Sequence, residues 1–244
     1  MRLNLFLARA AGGSRREADG WIRDGRVTIN GSEPQGMGVD VDPGRDTVTL
    51  DGRAVRLPLR SRYLAYHKPP GLLVSRRGQG GKRTIFESLG ERARGLHAVG
   101  RLDYESEGLL LLTDDGELSE ALLHPRTEAL RRYRVWVRPV PGPDALRRLE
   151  SGAVVEGIAV APRRVVLEGV ERGAGILLLD LAEGKKREVR QLAASAGLDV
   201  TRLLRIQFGP IRLGPLRPGG LRPLEAREIA ALREVAFRGP ATRC

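Results

Sequence analysis

The chain has 244 residues, enough for one large domain or two smaller ones with a substantial core. A hydrophobic fraction of 41% is globular, and no stretch approaches the ~18 apolar residues of a membrane span. Three scattered histidines and a lone Cys244 provide neither disulfide nor metal-ligand spacing, and a net charge of +12 points to a polyanionic partner such as nucleic acid.

From the N-terminus, Leu3, Phe6, Leu7, Ala10 and Ala11 share one helical face, and Gly12-Gly13 stops the helix. This apolar run is too short, and too broken by Asn4 and Arg9, for a signal peptide. In SRRE, Ser14 as N-cap and Glu17 three positions on form a capping box, so a second helix runs to about Asp24-Gly25. RVTINGSEP alternates and turns at Asn30-Gly31 in a hairpin pattern, and DTVTLDG adds a strand. Two helices and a small sheet thus make a module over 1–58, with a linker at 59–62.

The region from 63 opens with a strand, Tyr63 to His67, that ends in Lys68 and a Pro-Pro-Gly turn. SRRGQGGKRT lacks the spacing of an NTP-binding loop. Its Arg76, Arg77, Lys82 and Arg83 suit either a loop that closes over RNA or a merely mobile one. Leu109–Thr113 is a buried-type strand, GELSEALLHP a short helix, and RRYRVWVRP a strand alternating around Tyr133, Val135 and Val137. PDALRRLESG is a short helix, followed by strands in IAVAPRRVVLEGV and GILLLDLAEG. KKREVRQLAASAG is a helix with Val189, Leu192, Ala193 and Ala196 on its apolar face. VTRLLRIQFG is a strand, and a last helix starts near Leu224. Runs of strands with isolated short helices predict an α+β fold.

Charge is distributed unevenly. Residues 1–58 carry a net +1 and residues 184–244 a net +8, so a one-sided electrostatic footprint is expected. Arginines number 38 of the 42 basic residues, which suits phosphate recognition and equally a GC-rich genome or heat adaptation.

In GRLDYESEGLLLLTDDG, Asp103 stands between an Arg-Leu pair and an apolar run. By itself it is either a surface charge before a strand or a carboxylate at the mouth of a site. Glu105 and Glu107 invite a paired-carboxylate reading. Gly108 predicts an intervening turn that would keep 103, 105 and 107 off one face, so both glutamates stay unassigned. His67, His97 and His124 are expected to be structural.

Larger patterns carry two resemblances. RLNLFLARAAGGSRREADGWIRDGRVTINGSEP, with the later DTVTLDG, closely resembles the S4 RNA-binding domain. That resemblance implies that Arg15 and Arg16 touch phosphate at the start of the second helix, with Arg26 and Asn30 close by. A helix N-terminus with free N–H groups and two arginines is a sound phosphate site. Without an external anion, each cation there opposes the helix dipole by ~0.3–1 kcal/mol; the bland reading is that both are solvated.

KPPG, HAVGRLD with GLLLLTDDG, HPR, RRYRVWV, EGKKREVRQL, VTRLLRIQFG and LGPLRPGGLRPL then follow in an order that resembles the RsuA-type ribosomal RNA pseudouridine synthases, from Arg2 to about Leu232. The resemblance implies a catalytic domain over 63–244 with a mixed, largely antiparallel sheet flanked by helices, following the S4 module. It implies Asp103 as the catalytic aspartate, Tyr133 stacked on the target uracil, and Arg190 paired with the aspartate. Leu203 would line the pocket, and Arg101 would help fill the gap left by the flipped nucleotide. It also implies a cytoplasmic enzyme that uses neither cofactor nor metal, with ribosomal RNA, free or within assembling subunits, as partner.

GKKREVRQL and RPGG resemble the large-subunit branch, so 23S rRNA is favoured over 16S rRNA or tRNA. The chemistry fits these residue types. A carboxylate can act as nucleophile or base, base eversion costs a few kcal/mol, and stacking on an aromatic face returns ~1–3 kcal/mol. The alternatives are a non-catalytic RNA-binding or ribosome-assembly protein of the same fold, and an RNA N-glycosylase. Histidine in HKPPG and aspartate in TDDG depart from the commoner family residues without touching the proposed chemistry. Oligomeric state is not legible.

Overall fold

Short-range signals build the first elements. The computed structural model describes residues 1–237; Cys244 lies outside the described residues. Helix α1, Leu3–Ala11, ends at Gly12, whose φ of 77° is the left-handed cap glycine accepts most readily. Helix α2, Arg15–Arg23, starts on the full capping box: the Glu17 N–H donates to the Ser14 hydroxyl and the Ser14 N–H to the Glu17 carboxylate. Strands β1 (Val27–Ile29), β2 (Val48–Leu50) and β3 (Arg53–Val55) form an antiparallel sheet in that order. Leu3, Phe6, Leu7, Ala18, Ile22, Val27 and Val48 close a core between helices and sheet.

One expectation is corrected. The Asn30-Gly31 turn forms, with φ values of 52° and 84°, and Ile29 and Ser32 exchange backbone hydrogen bonds. The chain does not continue as a second hairpin strand; β1 pairs instead with β2. Pro34 has no N–H to offer a ladder. The Asn30 carboxamide is itself engaged by the β2 side of the module, accepting from the Thr47 N–H and donating to Asp46, both at 2.9 Å.

Residues 1–62 and 89–97 form one compact unit, and among the described residues 63–88 with 98–237 form another. The elements that follow are β4 (Tyr63–Lys68), α3 (Ile85–Leu89), β5 (His97–Val99), β6 (Glu107–Thr113), α4 (Gly116–Leu123), β7 (Arg131–Arg138) and α5 (Pro143–Ser151). Then come β8 (Ala153–Val155), β9 (Ile158–Val160), β10 (Arg164–Glu171), β11 (Ala174–Leu181), α6 (Glu188–Ser195), β12 (Asp199–Phe208), β13 (Ile211–Arg212), β14 (Leu221–Pro223) and α7 (Ala226–Phe237). The main sheet runs β10-β11-β7-β12-β6-β4-β14. Only β6 and β12 pair in parallel along this path, so the fold is α+β with a mixed, largely antiparallel sheet.

Strand β6 is buried at every residue. Leu109 and Leu111 pack with Leu118 and Leu122 of α4, Leu232 of α7 and Phe208 of β12, each large side chain contributing roughly 1.5–3 kcal/mol by leaving water. Strand β7 alternates as its sequence predicts, with Tyr133, Val135 and Val137 inward and Arg132, Arg134 and Trp136 half-exposed.

A turn does intervene between Asp103 and Glu107, at Tyr104-Glu105, where the Ser106 N–H donates to the Asp103 carbonyl, but Gly108 is not part of it. Gly108 lies within β6 opposite Arg205, at φ 111°, and a Cβ there would sit 2.3 Å from the Arg205 carbonyl oxygen. The glycine permits close approach of two backbones. Glu107, on the strand beside it, pairs with Arg202. Among the described residues no helix is long and apolar enough to cross a membrane.

Candidate active site

The segment 103–106 is fastened from beneath. Lys68, at the end of β4, is fully buried, and its ammonium donates to three carbonyls: Pro69 at 3.0 Å, Tyr104 at 3.3 Å and Ser106 at 2.8 Å. The Gly71 N–H of the Pro-Pro-Gly turn donates to the Tyr104 carbonyl, and the Ser106 N–H to that of Asp103. Burial pushes the Lys68 pKa down to about 8, against the opposing pull of Asp103 and Glu107. Lys68 therefore couples the Lys-Pro-Pro-Gly turn to the backbone that carries Asp103. In sequence the available signal for this role is a lysine closing an apolar strand.

Asp103 borders a cleft of about 580 Å³, counting the space open at its mouth, which is in the range of small-molecule sites. Arg101, Asp103, Tyr133 and Leu203, four of the residues singled out from sequence, line it together. The β7–β12 pairing sets Tyr133 opposite Arg205 and Val135 opposite Leu203, which puts these side chains on one sheet face. Tyr133 is buried to 7% exposure, whereas Arg101 is exposed. Lys185 and Arg187 add positive charge at the wall. No side chain among the described residues forms an ion pair with the Asp103 carboxylate.

Arg190 departs from expectation. It does not line the cleft and is not paired with Asp103. Its guanidinium donates to the Val200 carbonyl at 3.0 Å and lies 3.6 Å from the Glu105 carboxylate. The reason is helical geometry. Arg187 adopts a left-handed φ of 54°, so α6 starts only at Glu188. Glu188 and Val189 face the cleft, and two positions along a helix turn a side chain roughly 200° away. Arg190 thus reaches the Asp103 loop through Glu105, two residues further along.

Three buried charged residues in the cleft wall carry no signal of this in sequence: Arg131, Glu188 and Arg205. Arg131 donates to the Ala129 and Ala182 carbonyls, and burial lowers its pKa. Arg205 donates from Nε to the Leu109 carbonyl at 2.7 Å. Burial raises the Glu188 pKa. In sequence each looks like an ordinary charge on an alternating strand or a helix start.

In the N-terminal unit, Arg15 and Arg16 are exposed at the start of α2 and make no ion pair. Arg26 instead grips Asp51 with both arms of its guanidinium, at 2.8 and 2.7 Å. Asn30 is tied to Asp46 and Thr47, so both residues named beside the RNA contacts have partners within the module. In the basic loop, Arg76 stands over Phe86 at 4.4 Å and Lys82 over Tyr104 at 4.5 Å. His67 is structural as expected: its Nδ1 meets the Leu216 carbonyl at 2.7 Å. Among the described residues no cluster of three His, Cys, Asp or Glu could hold a metal.

Comparison with known proteins places this geometry. Residues 62–195 match the RNA pseudouridylate synthase family, and residues 1–33 match the S4 domain. The chain is 38% identical to an uncharacterized RNA pseudouridine synthase of Aquifex aeolicus, over 87% of this chain and 85% of that one. It is also 38% identical to the ribosomal large subunit pseudouridine synthase B of Yersinia pestis, over 86% of this chain and 68% of that one. A crystal structure of a pseudouridylate synthase superposes with a TM-score of 0.65 at 27% identity, covering 95% of this chain and 99% of that one.

Proposed function

The chain belongs to the RNA pseudouridylate synthases, and from that premise we propose that it isomerises a uridine of large-subunit ribosomal RNA, with Asp103 as the catalytic carboxylate. The observation that carries the reading is the meeting of Asp103 and Tyr133 in one cleft, with the aspartate free of any ion pair and its backbone held by Lys68. A carboxylate so placed has its lone pairs available to a substrate. The relatives named for the large ribosomal subunit support the choice of RNA.

In this reading the target base leaves its stack and rests on the Tyr133 ring, against Leu203, while Arg101 fills the space it left. Asp103 acts on the nucleotide as nucleophile or base. The C1′–N1 bond breaks, the uracil turns, and C1′–C5 forms; C5 gives up its proton and N1 gains one, so nothing is consumed. Arg190 is a positioning residue that restrains the Asp103 loop through Glu105. Residues 1–58 act as the RNA-holding module, joined by 59–62 to the catalytic region, with Arg15 and Arg16 on phosphate. The reaction takes place in the cytoplasm, where ribosomal subunits assemble.

The deciding experiment is pseudouridine mapping of total RNA from cells carrying the wild-type gene or Asp103→Asn. The variant should leave one rRNA position unmodified while its RNA affinity stays within about threefold, since a neutral isostere leaves the phosphate contacts intact. Modification that persists in the variant would remove Asp103 from the chemistry.

A further inference from the structure

Among the described residues, seven buried side-chain polar atoms lack a hydrogen-bond partner, and three of them belong to residues lining this one cleft: Ser106 Oγ, Glu188 Oε1 and Arg205 Nη2. Buried polar groups are normally satisfied, and each exception costs about 1–3 kcal/mol. Such a concentration at one cavity points to a ligand rather than to loose packing.

Glu188 and Arg205 share a pattern. Each is anchored at one end and unpartnered at the other. Glu188 Oε2 accepts from the Lys185 N–H at 3.1 Å while Oε1 has nothing. Arg205 Nε is bound to the Leu109 carbonyl, its guanidinium lies 5.4 Å from the Phe208 ring centre, and Nη2 has nothing. Exposures of 4% and 2% place both side chains within the protein wall of the cleft. The two orphans have opposite sense, one acceptor and one donor.

Resting on the proposed function, we propose that Glu188 and Arg205 read the imide edge of the everted uracil and so set its selection over cytosine. Uracil presents an N3–H flanked by two carbonyl oxygens. Glu188 Oε1 accepts from N3–H, and Arg205 Nη2 donates to a neighbouring carbonyl. Cytosine presents a bare N3 lone pair and an amino group at these places, so both protein groups would stay unsatisfied in a dry wall. Sites built on buried hydrogen bonds reject such mismatches strongly. A carboxyl group whose pKa burial raises is one that gains from a donor, and N3–H is that donor.

The test is a ratio of single-turnover rates on the mapped rRNA fragment, with the target position as uridine or as 3-deazauridine, which lacks the N3–H. Comparing this ratio between enzymes cancels the intrinsic reactivity of the analogue. Wild type should prefer uridine by about tenfold or more, the worth of a hydrogen bond to a charged group. In Glu188→Ala the preference should shrink to within about twofold, and in the isosteric Glu188→Gln it should be intermediate. A preference equal to wild type in Glu188→Ala overturns the assignment, and if that variant does not fold, an unchanged preference in Glu188→Gln does so. Asp103→Asn on the all-uridine fragment runs alongside: turnover there defeats the functional reading, whereas an inactive Asp103→Asn with an unchanged ratio defeats only the base-reading role.

Discussion

In the N-terminal unit and around the cleft, similar side chains meet opposite fates. Arg26 and Asn30 of the small module are tied to Asp51, Asp46 and Thr47, while Arg15 and Arg16 lie exposed at the start of α2. Around the cleft, Glu188 and Arg205 are half-tied and buried, each with an unused atom. A charge on an exposed module costs little to neutralise locally, because water screens whatever is left over. A charge in a dry wall must find a partner, and where the fold supplies only half of one, the other half is a statement about the ligand.

This contrast can be broken at several points. Gly108→Ala should have the largest effect on stability. Its Cβ would meet the Arg205 backbone at 2.3 Å, so a loss of about 3 kcal/mol is expected, seen as a fall in melting temperature of roughly 6–12 °C. A melting curve unchanged from wild type would mean that the β6–β12 contact is not as close as described.

Next comes the tether. Arg190→Met should lower the single-turnover rate on the order of 100-fold, because a loop whose Glu105 has lost its anchored guanidinium misplaces the carboxylate. Glu105→Ala should lose a similar amount, since it removes the same link from the loop side. A Glu105→Ala rate equal to wild type beside a severe loss in Arg190→Met would show that Arg190 acts on something other than the loop.

Lys68 links the two measures with opposite signs. Below about pH 8 its ammonium serves three carbonyls; above it, a neutral amine has two N–H groups for three acceptors, so the rate should fall as pH rises past 8. Between about 8 and the ordinary 10.5 the unfolded chain keeps a proton that the folded chain has released. Folding stability should therefore rise with pH across that window while activity declines. Lys68→Arg should move the alkaline limb of the pH–rate profile upward. A limb that stays put in this variant would assign it to another group.

The smallest effect belongs to the exposed module. Replacing Arg15 and Arg16 together by Ala should reduce the slope of log affinity against log salt by about 1.5 for RNA. Arg26→Ala should leave that slope alone and leave the melting temperature close to wild type, since both it and its partner are surface-exposed. If Arg26→Ala changes the slope as the double variant does, the division between tied and untied cations fails.

What could be read in advance was what neighbours along the chain decide. Ser14 and Glu17 are three residues apart, so the capping box and the start of α2 needed nothing beyond local geometry. The alternation around Tyr133 and the apolar face of α6 follow from strand and helix periods in the same way. Family motifs added Asp103, Tyr133, Leu203 and Arg101, which do share the cleft. The short strands β3, β5, β8, β13 and β14 left no signal because two or three residues carry too little periodicity.

The sequence by itself thus determined every helix but the five-residue α3, most strands, the α+β class and the residues worth suspecting, because hydrogen bonding and side-chain period act over a few positions. Only the tertiary structure decided that Gly108 runs within a strand, that Lys68 lies beneath the Asp103 backbone, and that Arg190 turns to Glu105. It alone left Glu188 and Arg205 with one free atom each at the same cavity. Those outcomes depend on which side of a packed sheet or helix a residue occupies, and on partners up to about a hundred residues away. A charge looks the same in sequence whether water or a protein wall surrounds it, and burial is what turns it into chemistry.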